Sequence, residues 1–412
     1  MNAISSLGSD GFLARYEALK GRLPGDSMLR AAAAQAFQAQ GLPGVARGRR
    51  KEAWKYTSLQ MMGGMSFASP GPDASGFDLP DGPRLVFVGG RYRADLSSDV
   101  AGFSAFHATP DFGELTWPDR DPMTALNTML TEDGAILSVP AGVDMGLLYL
   151  VHRGLDGTSA HPRHLIRMGS GARLTVIETS DGNGCYLHNP VVEAHVADGA
   201  VLTHVRSQTD SLHAFHMASI YAAVAAGGTY DGFTLNAGGR ITRTEIHASL
   251  DGPGAVAHLN GAQILSGSQH ADFTSVVRHA APKGTSRQTV KNVLNGHSRG
   301  VFQGRIEVAR GAQGTDGYQM NRALLLSPDA EIDTKPELEI FADDVKCSHG
   351  ATIGELDADQ LFYLRSRGVP EHEARSLLVH AFLAEAIDPV TNETARALLQ
   401  ATVARWWEGE AV

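Results

Sequence analysis

Short alternating segments recur at nearly constant spacing across residues 145–345, and this repeat constrains the fold more than any other feature of the chain. The segment GARLTV, which starts at residue 171, returns as GAVLTHV 28 residues later. Further segments follow at spacings of 16, 14 and 16 residues, starting at Gly284, Gly300, Gly314 and Ala330. No long helical pattern separates them, which argues against a doubly wound sheet and for a solenoid, a sandwich or a barrel. The repeat favours a β-helix, because a single coil cannot bury its own apolar face and must stack on its neighbour.

Composition narrows the class of protein. Hydrophobic residues make up 43% of the 412 positions, enough for a sizeable core, and the net charge of -10 has the wrong sign for general nucleic-acid binding. Two cysteines, Cys185 and Cys347, allow neither a disulfide framework nor a CxxC metal site, and they predict a cytoplasmic protein in a reducing compartment. The N-terminus lacks the apolar core of a secretory signal, and the longest uncharged stretch, residues 211–230, is interrupted by histidines and glycines. We therefore expect no membrane-spanning segment.

Helical patterns flank the repeat. Apolar residues three and four apart run from residue 9 to residue 40 with Pro24-Gly25 between two runs, which predicts a helical hairpin. The run LVFVGGRYRADL predicts a short β-hairpin that turns at Gly89-Gly90. Three amphipathic helices are predicted near the C-terminus, starting close to Asp357, Pro370 and Thr391.

These patterns divide the chain into three regions. We predict an N-terminal helical region over residues 1–80, a β-helix core over residues 81–350 and a C-terminal helical domain over residues 351–412. The short hairpin and a connecting segment precede the coils within the core region.

The sequence does not support any of the common catalytic motifs. GHSRG at residues 296–300 fits the G-x-S-x-G pattern of serine hydrolases, with Ser298 as nucleophile, but an extended run follows it where that motif requires a helix. We interpret Gly296 and Gly300 as corners of the solenoid. The chain has no Gly-Lys dipeptide and no HExxH, so neither a P-loop nor a zincin site is predicted. Most histidines are predicted to be hydrogen-bonded residues of the coils rather than ligands. Examples are His195, His204, His213 and His216.

Cys347 and His349 form the strongest candidate site. They lie two positions apart, so on an extended backbone both side chains point to one face, where a thiolate and an imidazole suit iron, iron-sulfur or zinc. A closed site needs about four ligands, and a second chain could supply the others. An ordinary buried cysteine beside a hydrogen-bonded histidine remains the alternative.

Longer runs resemble the SufD branch of the SufB/SufD family of iron-sulfur cluster assembly proteins. The similarity is dense from about residue 288 to 387, in QTVKNVLNGHSRGVFQGRIEV and in FADDVKCSHGATIGELDADQLFYLRSRGV. Weaker matches are EAWKYT at 52–57, LVFVGGRY at 85–92 and ALNTMLTEDGAILSVPAGV at 125–143. The chain has no cysteine cluster of the kind that SufB members carry, so it resembles the accessory member of the pair.

The resemblance implies a mainly β fold, a right-handed parallel β-helix core flanked by N-terminal and C-terminal α-helical domains. It implies a non-catalytic scaffold that pairs with SufB through the end of the β-helix and binds the SufC ATPase through its C-terminal helices. A transient iron-sulfur cluster or iron, shared with SufB, would be held with His349, with Cys347 beside it. Partner-binding residues would be Leu361, Phe362, Leu377, Leu378 and Phe382. It implies no bound nucleotide, no nucleic-acid or membrane partner, and a possible homodimer in isolation.

Two other functions are consistent with a β-helix. One is a carbohydrate-active enzyme, in which carboxylates along a solenoid groove perform acid/base chemistry. Glu193, Glu245 and Asp272 lie in the strand zone, although no paired spacing singles them out. The other is a structural homodimer without a metal role.

Overall fold

The computed structural model describes residues 8–45, 52–71, 78–106 and 112–410. Its helices are α1 (Ser9–Leu19), α2 (Ser27–Gln40), α3 (Pro122–Leu130), α4 (Ala358–Ser366), α5 (Glu371–Ile387) and α6 (Glu393–Glu410). Its first strands are β1 (Arg84–Val88), β2 (Arg91–Tyr92), β3 (Phe103–Ala105), β4 (Ala135–Val139), β5 (Asp144–Gly154), β6 (Ser159–Ala160), β7 (Arg163–Met168), β8 (Arg173–Gly182), β9 (Leu187–His188) and β10 (Val191–Val196). The remaining strands are β11 (Val201–Gln208), β12 (Phe215–Val224), β13 (Thr229–Asn236), β14 (Ile241–Leu250), β15 (Val256–Leu265), β16 (His270–His279), β17 (Thr285–Leu294), β18 (Arg299–Val308), β19 (Thr315–Leu325), β20 (Glu331–Ile340) and β21 (Val345–Gly354).

The strands wind into a parallel β-solenoid. Successive strands alternate between two sheets, one ordered β5-β8-β11-β13-β15-β17-β19-β21 and the other β20-β18-β16-β14-β12-β10-β7-β4. In the pair of β8 and β11, Arg206 stands opposite Glu178, 28 residues earlier in the chain. The 28-residue repeat is thus one full coil, and the predicted parallel β-helix is confirmed.

Period-two alternation separates the inside of the solenoid from its outer faces. Along β8, Leu174 and Val176 belong to the apolar cluster that fills the interior, whereas Ile177 joins the cluster beneath the C-terminal helices. A strand of this kind is buried on both faces, because helices cover the outside of each sheet. The stack therefore has an interior core and two outer cores.

Helices occupy both outer faces. Helices α1 to α3 and the short 3-10 turns Glu52–Trp54 and Gln60–Gly64 share a cluster with Leu187, Phe215 and Met217 of the β10-β12-β14 sheet. Helices α5 and α6 pack on the opposite sheet, against β11, β15 and β17. The predicted helical hairpin and the β-hairpin at Gly89-Gly90 are both confirmed, and those two glycines have φ values of 56° and 77°.

The two ends of the solenoid differ. At one end the sheets finish in the short antiparallel strands β2 and β3, which interrupt a regular edge. At the other end, β20 and β21 are each the last strand of a sheet and keep one edge unpaired within the described chain. Strand β21 continues to Gly354, beyond the predicted boundary at residue 350, because the coil closes before α4 begins.

The structure decides the predicted corners of the solenoid but does not test the predicted division into regions. Gly300 lies inside β18, so its interpretation as a corner was wrong, whereas Gly296 occupies the turn before that strand with φ 63°. The division into three regions stays a prediction, and residues 1–7, 46–51, 72–77 and 411–412 of the helical regions lie outside the described residues. Within the described ranges, no helix has both the length and the apolar character needed to span a bilayer.

Candidate functional site at the open end of the solenoid

The predicted ligands lie on the last strand of the stack. In the parallel pair of β19 and β21, Cys347 stands opposite Gly317 and His349 stands opposite Gln319. Because side chains alternate along a strand, Cys347 and His349 share the face of β21 that Gly317 and Gln319 present on β19. The structure therefore brings both predicted residues to the same face of the terminal coil.

Cys347 is only half-buried and lies in an apolar setting. It packs beside the cluster of Ile306, Val308, Ala312 and Ala342, in which the nearby Leu338 and Val345 are also partly buried. A Cβ added to Gly317 would lie 3.3 Å from the Cys347 Sγ, so this glycine leaves room for the sulfur. Burial raises the pKa of the Cys347 thiol, against a smaller lowering by its hydrogen bond with the Gly317 backbone. The thiol form is favoured until a metal or a cation displaces the proton.

His349 is exposed, and its neighbour along the stack is unusual. Gln319 is fully buried, and neither of its side-chain amide atoms has a hydrogen-bond partner in the described part of the chain. A Cβ on Gly304 would lie 2.3 Å from the Gln319 Nε2, which places this amide inside the coil. At the open end, the buried Gln319 amide is therefore followed along the stack by the exposed His349 imidazole.

A shallow surface depression lies beside Cys347. Its lining is charged and polar, and consists of Arg287, Asp316, Tyr318, Lys346, Cys347 and Ser348. Arg287 makes a two-pronged ion pair with Asp316, at 3.0 and 2.9 Å, which fixes one wall of the depression.

The predicted partner-binding residues divide into two groups. Phe362 and Leu377 are exposed, with 72% and 54% of their surface accessible, and Leu361 and Leu378 are half-buried. Phe382 instead packs toward the solenoid, where the Lys291 Nζ lies 4.2 Å from the centre of its ring. Phe382 is thus already engaged in holding α5 on the solenoid.

The residues that suggested a serine hydrolase or a carbohydrate-active enzyme form structural contacts instead. The Ser298 hydroxyl is buried at a corner and donates to the Leu265 carbonyl oxygen at 3.4 Å. Glu193 forms a buried ion pair with Arg163 at 2.7 Å, and Arg243 pairs with both Glu245 and Asp272. Carboxylates buried against arginines do not line a groove open to a polysaccharide.

Comparison with known proteins decides the family. The family described as SUF system FeS cluster assembly, SufBD core domain, matches residues 150–382, which cover most of the solenoid, all of α4 and most of α5. The chain belongs to the SufBD family. This SufBD protein is 32% identical to the iron-sulfur cluster assembly protein SufD of Escherichia coli over 363 residues, 84% of this chain and 85% of the relative.

Other relatives agree. An iron-sulfur cluster assembly SufBD family protein of Synechocystis is 31% identical over 83% of each chain. A second, from Mycobacterium leprae, is 28% identical over 86% of this chain and 89% of its own length. The SufBD protein described here is therefore a homologue of SufD, as its C-terminal motifs predicted.

Sequence reasoning missed a buried group of histidines and carboxylates inside the solenoid. His188 and His216 stand opposite one another in β9 and β12, and His216 is hydrogen-bonded to Asp210 at 2.8 Å. The signal was available, because His188 and His216 are separated by the 28 residues of one coil. Taken one at a time, the histidines of this SufBD protein looked like dispersed coil residues.

Proposed function

We propose that this SufBD family member is a non-catalytic subunit of a SUF assembly complex. It pairs with SufB through the open end of the solenoid and binds the SufC ATPase through its C-terminal helices. The iron-sulfur cluster is cargo rather than a resident cofactor, and His349 contributes a ligand to it where the two chains meet. The observation that carries this proposal is the exposed His349 on an unpaired terminal strand.

The chemistry at the open end suits an incomplete site. A neutral imidazole binds iron directly, whereas the thiol of Cys347 must first lose a proton that its apolar surroundings favour keeping. One imidazole and one half-buried thiol cannot close a four-ligand site. We therefore assign His349 the principal role, with Cys347 secondary, and expect the remaining ligands from the partner.

The C-terminal helices offer a separate surface. No residue of α4 is buried, and within the described chain its main contacts are with α5. Phe362, Tyr363 and Leu377 expose more than half of their surface on these two helices. Large exposed side chains grouped in this way are typical of protein interfaces. This supports docking of the SufC ATPase here.

A rigid connection joins that surface to the solenoid. The Glu385 carboxylate of α5 accepts hydrogen bonds from Lys291 of β17 at 2.5 Å and from Arg322 of β19 at 3.0 Å. With Phe382 packed under Lys291, movement of α5 carries the last coils with it. Motion of docked SufC subunits would therefore reach β21 and the His349 site through packed elements.

The test is anaerobic reconstitution of the complex with wild-type or His349→Ala chain, followed by iron counting and visible spectroscopy. We expect His349→Ala to lower cluster yield by at least about tenfold while the subunits still co-purify, because the exposed side chain contributes little to folding. Cys347→Ser should have a smaller effect. Iron counting with and without SufB separates this role from a structural homodimer, which would give no SufB-dependent iron.

A matched control is His297→Ala. His297 is also an exposed histidine of a late coil, but it lies at the corner between β17 and β18. Its removal should leave cluster yield unchanged. Undiminished cluster assembly by the His349→Ala complex would remove this residue from the site.

A further inference from the structure

A second constellation of metal-binding side chains lies inside the solenoid, distant in the stack from β21. It consists of His188 of β9, Asp210 just after β11 and His216 of β12. One candidate ligand atom from each residue lies within 4.8 Å of the other two, and all three side chains are buried. Parallel pairing of β9 with β12 sets the two imidazoles one above the other, with ring centres 5.0 Å apart.

The charges around these residues do not cancel. Glu178 and Asp210 are both buried carboxylates, and the buried Arg206 guanidinium lies 3.1 Å from Glu178 and 3.3 Å from the His216 Nε2. Counted with neutral imidazoles, the form in which histidine ligates a metal, this group carries one net negative charge. A cation bound beside Asp210 would balance that charge.

Several imidazole nitrogens lack partners. In the described part of the chain, the His188 Nε2, the His164 Nε2 and both ring nitrogens of His152 are buried without a hydrogen-bond partner. The rings form a column, with centres 5.0 Å apart between His164 and His152 and 4.9 Å apart between His152 and His188. Unpaired buried nitrogens beside a carboxylate are a second, independent feature that suits a bound cation.

The carboxylate of the group is held in a fixed orientation. Asp210 accepts hydrogen bonds from the Tyr186 hydroxyl at 2.6 Å, the Gln208 amide at 2.8 Å and the Ser180 hydroxyl at 2.9 Å. Outer hydrogen bonds of this kind orient the ligands in metal sites.

We propose that His188, Asp210 and His216 bind one divalent transition-metal ion, Fe²⁺ or Zn²⁺, inside the solenoid. Two imidazoles and one carboxylate form a donor set that suits both ions, and His152 is the nearest further imidazole. Metal–ligand distances of about 2.0–2.2 Å require these side chains to draw together slightly on binding. The site is separate from the His349 site and stands whether or not the assembly role holds.

The site lies beneath a corner of the solenoid surface. Asp210 and His216 flank the turn between β11 and β12, where Leu212 has 59% of its surface exposed.

The experiment measures metal binding by the full chain alone after removal of metal with a chelator. Zn²⁺, Co²⁺ as a spectroscopic probe and, under anaerobic conditions, Fe²⁺ are titrated separately, with bound metal counted after gel filtration. We expect one ion per chain, unaffected by a large excess of Mg²⁺, which prefers oxygen ligands. His188→Gln and His216→Gln should bind at least about tenfold more weakly. His213→Gln, which changes an exposed histidine of the same corner, should bind as the wild-type chain does.

Binding by the wild-type chain that is unchanged in folded His216→Gln would overturn the proposal, as would the absence of bound metal in the wild-type chain. If the glutamine variants do not fold, as judged by circular dichroism, two other measurements decide. X-ray absorption of the metal-loaded wild-type chain should show scattering from imidazole ligands, and its absence rejects the site. Tyr186→Phe, which removes one donor to Asp210, should weaken binding, whereas unchanged affinity counts against the assigned carboxylate.

Discussion

Buried ion pairs attach the N-terminal segments to the solenoid. Arg163 donates to Glu193 and also reaches the side chains of Asn127 and Thr128 in α3. Glu193 in turn accepts from the backbone N–H groups of Gly113 and Leu115. A pair whose remaining donors and acceptors are all satisfied can be buried without a large penalty. These charges therefore have a structural role, which removes the sequence support for acid/base catalysis.

Because the His279 side chain is buried, we expect the protein to lose stability in acid. Burial lowers its pKa from 6.5 to about 4, against a small opposing effect of the facing Asp316 carboxylate, and its Nε2 lies 2.9 Å from the Ser286 hydroxyl. The unfolded chain therefore takes up a proton below pH 6.5 that the folded chain takes up near pH 4. This contribution to stability is complete above pH 6.5 and is lost as the pH falls to about 4, on the order of 3 kcal/mol.

Urea unfolding of His279→Gln and wild-type chains between pH 8 and pH 4 tests this. As the pH falls, the wild-type chain should lose about 3 kcal/mol of unfolding free energy relative to His279→Gln, because glutamine does not titrate. Val277→Ala, a buried apolar change on the same strand, should keep a constant difference from wild type. A His279→Gln difference that is equally constant would contradict the lowered pKa.

At the scale of elements, patterns predicted which segments form but not which faces they bury. Helix α5 is the amphipathic helix predicted to start near Pro370. On this helix Leu377 is exposed, whereas the buried positions include Val379 and Leu383. The apolar side chains on α5 occupy more than one face, so spacing alone cannot tell the face that meets the solenoid from the face left open. Glycine positions and the alternation of apolar and polar residues predicted the strands more accurately, because each coil repeats the same geometry.

The proposed docking of SufC on the exposed face of α4 and α5 can be tested by mutation. Phe362→Glu combined with Leu377→Glu should weaken binding of SufC by at least about tenfold in calorimetry, because both side chains are exposed and charges would be buried at the interface. The melting temperature should stay within a few degrees of wild type. Phe382→Glu is a poor probe, because Phe382 packs under Lys291 and its loss would destabilise the helix itself.

Met28→Glu is the matched control for this surface. Met28 is 77% exposed on α2, on the opposite side of the solenoid, so its change should leave SufC binding intact. Equal binding by the Phe362→Glu, Leu377→Glu chain would move the docking surface away from these helices.

At the scale of the whole molecule, the solenoid is a stack with one finished end and one unfinished end. An interior ladder of amides runs toward the unfinished end, with Asn236 donating to Gln263, Gln263 to Asn292 and Asn292 to Asn321. The 28-residue repeat predicted the stack, but it carried no information on these inward polar contacts, because they depend on the register between coils. The same register brings His188 under His216, which spacing along the chain shows only once the coil length is known.

The proposed pairing with SufB through the unfinished end can be tested in the same way. Strands β20 and β21 keep an unpaired edge in the described chain, and Phe341 and Ile353 beside them expose 65% and 57% of their surface. An uncovered pair of edges with apolar side chains is a template for strand addition by a second solenoid. Phe341→Glu with Ile353→Glu should therefore reduce co-purification with SufB by at least about tenfold, with circular dichroism unchanged. Leu212→Glu places the same charge at an exposed corner away from this end and should pair normally. Pairing that survives the double change while Leu212→Glu abolishes it would place the interface at the corners of the stack instead of its end.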